Sequence, residues 1–221
     1  MNNADILKHV DHTLLKPVSD WKDIERLCRE AIQYKTACVC IPPSYIRRIK
    51  KTFGEQLTIC TVIGFPLGYQ TKAVKVAEAV EAVADGADEV DMVVNLGDVK
   101  NGDDHKIMQE IKAVKKAIGN RVLKVIIETC YLSQDEKMRL CRCVTEGGAD
   151  YIKTSTGFGT EGAVMEDIIL FKRYIGPHVK MKAAGGIRTR EDLVRFIEAG
   201  CERIGTSSAV SLLTGGDSSG Y

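Results

Sequence analysis

The sequence predicts a single α/β barrel of the (β/α)8, or TIM, type. Two observations carry that expectation. Short runs of β-branched and apolar residues alternate, eight times over, with longer stretches of helical period. No linker, composition shift or low-complexity segment divides the 221 residues, a length ordinary for one barrel. Strict alternation implies parallel strands with right-handed crossovers. An open, doubly wound sheet is the rival arrangement of the same elements.

Taken in order, the predicted strands cover 9–14, 37–41, 57–63, 89–93, 122–127, 151–154, 179–184 and 203–206. The predicted helices follow them at 19–34, 44–53, 71–85, 104–118, 133–146, 165–174, 190–199 and 207–213. Ser19 opens the first helix as its N-cap, and Ser133 opens the fifth with Asp135 and Glu136 behind it. Thr189 caps the seventh, whose first turn carries Glu191 and Asp192. One shape recurs: Ala84-Asp85-Gly86, Glu146-Gly147-Gly148 and Glu198-Ala199-Gly200 each end a helix at glycine just before a strand. The barrel is thus expected over 1–213, with 214–221 as a mobile tail.

The formal net charge of +1 gives no field favouring nucleic acid or membrane. No run of about 18 apolar residues suggests a membrane span. Met1-Asn2-Asn3-Ala4-Asp5 lacks the basic and apolar regions of a signal peptide, so a cytoplasmic protein is expected. The eight cysteines sit mostly in apolar segments, in C-x-C rather than C-x-x-C spacing, and read as buried reduced thiols rather than zinc ligands. Cys40, at a strand end, reads as a buried thiol close enough to the site to meet aldehydes.

Two lysines carry the chemistry. Lys153 ends Tyr151-Ile152-Lys153 and runs into Thr154-Ser155-Thr156-Gly157, and Lys182 runs into Ala183-Ala184-Gly185-Gly186. Lysine is a poor filling for a strand that a parallel sheet buries on both faces. Two lysines aimed into one site favour a neutral amine on one of them, and a neutral amine attacks carbonyls. The other polar residues at strand ends are Asp11, Asp91, Asn95, Glu128 and Thr154. Alternation aligns Lys180 with Lys182, Glu89 with Asp91, and Lys124 with Glu128 as a polar interior. Gly185-Gly186 and Gly205-Thr206-Ser207-Ser208 follow strands seven and eight, where such barrels hold phosphate. Gly157 adds close backbone approach and Arg188 adds charge. Simpler readings stand beside these. Lys153 is also a strand end that reaches solvent, Lys182 a plain phosphate ligand, and Asp91, Asp11 and Lys124 structural ion partners. His12 points outward from the strand.

The chain resembles the deoxyribose-phosphate aldolases, a class I, Schiff-base aldolase family. Val10-Asp11-His12-Thr13, Glu89-Val90-Asp91-Met92-Val93, Leu123 to Thr129, the two lysine motifs and the terminal Tyr221 carry the likeness. The resemblance implies reversible cleavage of 2-deoxy-D-ribose 5-phosphate to acetaldehyde and D-glyceraldehyde 3-phosphate in deoxyribonucleoside catabolism. By the same resemblance Lys153 forms the imine, Lys182 perturbs it, Asp91 moves protons and Tyr221 assists exchange at the acetaldehyde carbon. Gly157, Gly185, Gly186, Ser207, Ser208 and Arg188 would hold phosphate, with Asp11 and Thr156 in the substrate-binding set. No metal or organic cofactor is implied, and the partners are the sugar phosphate, acetaldehyde and further copies of the chain, as dimer or tetramer. The sequence departs from some members at Phe158, where they carry a lysine. Phosphate is then held more weakly, or by Arg188 and backbone donors. A transaldolase-like or bisphosphate aldolase, a non-catalytic phosphosugar-binding barrel and a phosphosugar isomerase are the competing readings. The last lacks an evident Glu/His pair.

Overall fold

A computed structural model describes residues 1–215, and within it eight parallel strands close into a barrel in sequence order. The predicted tail beyond Gly215, with Tyr221, lies outside the described residues. The strands are β1 (Val10–Thr13), β2 (Cys38–Ile41), β3 (Ile59–Ile63), β4 (Glu89–Val93), β5 (Val122–Ile126), β6 (Tyr151–Lys153), β7 (Lys180–Ala184) and β8 (Cys201–Thr206). The closing pair, β1 with β8, matches Asp11 to Gly205, so the open-sheet alternative is excluded.

The helices are α1 (Asn3–Leu7), α2 (Trp21–Tyr34), α3 (Ile46–Phe53), α4 (Lys72–Asp85), α5 (Leu96–Asn101) and α6 (Asp104–Ile118). They continue as α7 (Gln134–Glu146), α8 (Met165–Tyr174), α9 (Arg190–Glu198) and α10 (Ala209–Thr214). The short α1 and α5 were not expected. At five and six residues they are too brief to show a period, and each is announced only by its cap, Asn2 or Asn95. The cap of α2 is Asp20, not Ser19. Its carboxylate takes the N–H groups of Lys22 and Asp23, and Asp23 reciprocates in a capping box. The carbonyl of Ser19 instead accepts the Tyr45 hydroxyl. Ser133 and Thr189 cap as expected. The last helix starts at Ala209, because Ser207 and Ser208 stay in the preceding turn, where Thr206 Oγ1 accepts the Ser208 N–H.

The two faces of the sheet differ in kind. Outward-facing Val90, Met92, Leu123, Val125, Ile152, Ala183 and Ile204 pack against Ile107, Ile111, Leu140, Phe171 and Leu193 of the helices. Each large aliphatic or aromatic side chain so buried stabilises the fold by about 1.5–3 kcal/mol. The inner face holds charge. The register sets Asp91 beside Lys124, Lys153 beside Lys182, and Lys182 beside Arg203. Lys180 does not join them. It lies exposed at the start of β7, which is irregular between Met181 and Lys182, and pairs with Glu202 at 2.7 Å. No helix among the described residues is long and apolar enough to cross a membrane.

Candidate active site

A buried ionic cluster fills the upper barrel. Asp91, from the middle of β4, is fully enclosed and accepts from three lysines. Its Oδ2 lies 2.7 Å from Lys153 Nζ and 2.8 Å from Lys182 Nζ, and its Oδ1 lies 2.9 Å from Lys124 Nζ. Lys182 also reaches Asp11 Oδ2 at 2.5 Å, and Lys124 reaches Glu89 Oε2 at 2.6 Å. Arg203, from the start of β8, donates to Asp11 Oδ1 at 2.7 Å and forks onto Glu89. The cluster is therefore Asp11, Glu89 and Asp91 against Lys124, Lys153, Lys182 and Arg203.

Burial disfavours the charges of Asp91, Asp11, Lys182 and Lys124, and the opposite charges decide the outcome. For Asp91, burial raises the carboxyl, yet Lys124, Lys153 and Lys182 together hold it well below the usual range. Asp11 behaves alike: burial raises it, and Lys182, Lys124 and Arg203 bring it down. Burial lowers Lys182, but Asp11 and Asp91 hold it well above an ordinary lysine, so it is firmly cationic. Lys124 is held up in the same way, chiefly by Asp91.

Above the cluster opens a cavity of about 700 Å³, walled by the loops after β6, β7, β8 and β1. Lys153 is the one amine of the cluster that lines it. Thr156, Gly157, Gly185, Gly186, Arg188, Ser207 and Ser208 line it too, so the structure gathers most of the predicted binding set around one space. Asp91, Lys182 and Asp11 lie beneath, wholly buried, at one, two and three hydrogen bonds from Lys153. Asp11 thus sits under the lysines rather than on the cavity wall. The β7 loop runs at positive φ through Gly185 (+81°) and passes so near Gly162 that a Cβ there would stand 2.2 Å from the Gly185 oxygen.

Several residues of this site are not evident in the sequence. Lys16, in the β1 loop, is exposed and lines the cavity, and like Arg188 it makes no ion pair among the described residues. Cys60, read as a small hydrophobe, touches the cluster: its Sγ lies 3.1 Å from Asp91 Oδ1 and accepts from Lys124 Nζ at 3.2 Å. Burial raises this thiol, but hydrogen bonds from Cys38 and Cys40 bring it down to about 5. Cys40 is itself enclosed and pushed well up by its bond to Cys60 and by burial, which makes it a poor nucleophile. Phe158 stands edge-on to Phe65, ring centres 5.5 Å apart, across the mouth. His12 points outward to Glu30 at 2.8 Å. The donors Asp11, Cys38, Cys60 and Glu89 lie close enough to hold a cation, but Arg203, Lys124 and Lys182 already face them and repel a divalent ion.

A buried lysine at a cavity, bonded to a carboxylate that also holds a second lysine, is equipped for imine chemistry on a carbonyl compound. Comparison with known proteins narrows the class. The family model for DeoC/LacD family aldolases matches residues 6–215. The deoxyribose-phosphate aldolase of Clostridium botulinum (strain Alaska E43 / Type E3) is 61% identical over 221 residues, all of both chains. That of Clostridioides difficile (strain 630) is 57% identical over 98% of this chain and 99% of its own. Among solved structures, the deoxyribose phosphate aldolase of Aeropyrum pernix, described as having a unique tetrameric structure, superposes with a TM-score of 0.88. It is 32% identical, covering 96% of this chain and 91% of its own. The chain belongs to the DeoC/LacD aldolase family and is an aldolase, a carbon–carbon lyase.

Proposed function

We propose that this family member reversibly cleaves 2-deoxy-D-ribose 5-phosphate to acetaldehyde and D-glyceraldehyde 3-phosphate, with Lys153 forming the imine. One observation carries the assignment of the nucleophile: of the four cations in the buried cluster, only Lys153 reaches the cavity. The identity of the sugar rests on the relatives named above.

Lys182, fixed as a cation, contributes a positive field beside Lys153 rather than a second nucleophile. The Lys153 amine adds to the C1 aldehyde of the open-chain sugar, and loss of water gives the protonated imine. The C3 hydroxyl then gives up its proton, the C2–C3 bond breaks, and its electron pair enters the imine to form an enamine. D-glyceraldehyde 3-phosphate departs. The enamine takes a proton at C2, and water hydrolyses the resulting imine to acetaldehyde and free Lys153. Asp91, 2.7 Å from Lys153 Nζ, is the acceptor and donor for these protons, with a water to bridge it to the carbon. Tyr221 keeps its role in that exchange only as a reading of the sequence.

The phosphate end belongs at the β7 and β8 loops, where Gly185, Gly186, Ser207 and Ser208 offer backbone and hydroxyl donors. Arg188 and Lys16, neither in an ion pair among the described residues, supply the charge that Phe158 does not. Deoxyribonucleoside breakdown is the metabolic setting that such a substrate implies, and association of copies is proposed by analogy with the tetrameric relative.

Acetaldehyde with borohydride tests the reading. The expected product is one reduced ethylidene group on Lys153 by peptide mapping, absent in Lys153→Leu. An adduct on another residue, or none, would overturn the assignment.

A further inference from the structure

Glu128 is the polar strand-end residue that the mechanism leaves unused. It follows β5, whose ladder to β6 continues past it: Ile127 N–H bonds the Lys153 carbonyl and Thr129 N–H bonds the Thr154 carbonyl. Between these two bonds Glu128 turns into the left-handed region, φ 53° and ψ 67°, a conformation that a residue with a side chain rarely adopts. That turn directs its side chain across to the β6 loop. There the carboxylate is enclosed, with 3% of the residue exposed, and no Lys or Arg pairs with it among the described residues. Its two oxygens serve one residue. Oε1 accepts the Thr156 backbone N–H at 3.0 Å, and Oε2 accepts the Thr156 hydroxyl. Thr156 Oγ1 in turn accepts the Phe158 N–H at 2.9 Å. The loop folds so tightly around this carboxylate that a Cβ on Gly159 would meet Glu128 Cδ at 3.2 Å.

A buried carboxylate without a cation and a side-chain residue at positive φ are both unfavourable features, and here they occur in one residue. Both serve the same end: fixing residues 156–158, which line the cavity next to Lys153. The polarity is fixed too. Because a carboxylate only accepts, the Thr156 hydroxyl must give its proton to Glu128, leaving the oxygen to receive Phe158 N–H.

We propose that Glu128 is a positioning residue of the substrate site, holding the Thr156–Gly157–Phe158 loop against the sugar phosphate and orienting the Thr156 hydroxyl. This deepens, and rests on, the reading of the substrate as deoxyribose 5-phosphate. Glutamine in place of Glu128 keeps the acceptor for Thr156 N–H but turns an N–H2 donor toward Oγ1. The hydroxyl proton is then displaced into the cavity, and Phe158 N–H competes for its acceptor.

The test measures steady-state cleavage of deoxyribose 5-phosphate, acetaldehyde–borohydride trapping and thermal midpoint for Glu128→Gln, Thr156→Val, Thr156→Ser and the Glu128→Gln/Thr156→Val double variant. For Glu128→Gln, KM is expected to rise about tenfold, with kcat within about threefold and trapping on Lys153 unchanged. Thr156→Ser, which keeps the hydroxyl that bonds Glu128, should raise KM less than Thr156→Val. The double variant should be no worse than the worse single one, since both act through one bond. An unchanged KM, additive losses, or a fall in trapping equal to the fall in cleavage overturns the proposal. Wild type that traps acetaldehyde yet does not cleave deoxyribose 5-phosphate overturns the substrate reading, and this inference with it.

Discussion

Two groups of buried charges in this barrel use the same residue types to opposite effect. Inside, Lys182 meets two carboxylates and Asp91 meets three lysines. Outside, under α4 and α6, Lys75 is just as enclosed, yet it meets one carboxylate, Glu110 at 2.8 Å, and the Val93 carbonyl at 2.8 Å. Lys182 is held well above the ordinary lysine range. Burial pulls Lys75 below it, against Glu110, and burial likewise lifts Glu110 above the usual carboxyl. The contrast teaches that enclosure alone does not decide whether a buried lysine keeps its proton. The number of countercharges within bonding reach does.

Asparagine at Asp91 attacks the contrast at its centre. It removes the one charge shared by Lys124, Lys153 and Lys182 and the group proposed to move protons. Turnover should fall by about 10²–10⁴-fold. Steady-state cleavage at saturating substrate measures it, and a loss under tenfold would separate the cluster from the chemistry. For the isolated pair the effect is on stability instead. Lys75→Met alone strands Glu110 and should cost about 3–5 kcal/mol, whereas Lys75→Met with Glu110→Leu should return to wild-type stability or exceed it. Urea denaturation of the three proteins checks this, and a double variant as unstable as the single one would show that the pair itself holds α4 to α6.

Acid gives the smallest and most graded comparison. Asp91 and Asp11 hold protons less tightly folded than unfolded, so they favour the fold above the unfolded carboxylate value near ~3.9 and lose that contribution as pH falls. Glu110 has the opposite sign, because it binds its proton more tightly in the fold and acid relieves it. The urea midpoint should therefore drop from about pH 5 to pH 3. The drop should be shallower in Asp91→Asn and slightly steeper in the double variant lacking the Lys75–Glu110 pair. Identical slopes in all three would mean that neither group sets the acid limit.

The barrel and its lysines were legible because a charge inside a run such as Tyr151-Ile152-Lys153 has no local reason to be there. The same logic exposed Asp91, Lys124 and Lys182. It fails where a residue's ordinary place hides its role. Arg203 sits near a strand start, where an arginine reads as rim, and only barrel closure brings it to Asp11 and Glu89. Cys60 reads as filling until a neighbouring strand places Asp91 beside it. Lys16 stands in a loop, where a lysine is unremarked, and the cavity it lines is built from four separated loops. Ser19 and Asp20 compete for one cap, and the sequence does not display the Tyr45 hydroxyl that takes the Ser19 carbonyl.

The paired rings of Phe65 and Phe158 have a consequence for stereochemistry. They join the ends of β3 and β6, nearly opposite one another around the barrel, and so roof the half of the mouth above β4 and β5. The side over β7, β8 and β1 keeps Gly185, Gly186, Lys16 and Arg188. The imine proposed on Lys153 would have that aromatic pair on one side and, on the other, a wall in which Gly185, Gly186, Ser207 and Ser208 stand among Leu14, Leu15, Ile187 and Leu212. An aldehyde whose phosphate is drawn to those backbone and hydroxyl donors would present its carbonyl from that side. On that proposal the handedness of the new carbon–carbon bond would be set by where the aromatic pair and the phosphate donors stand around the amine.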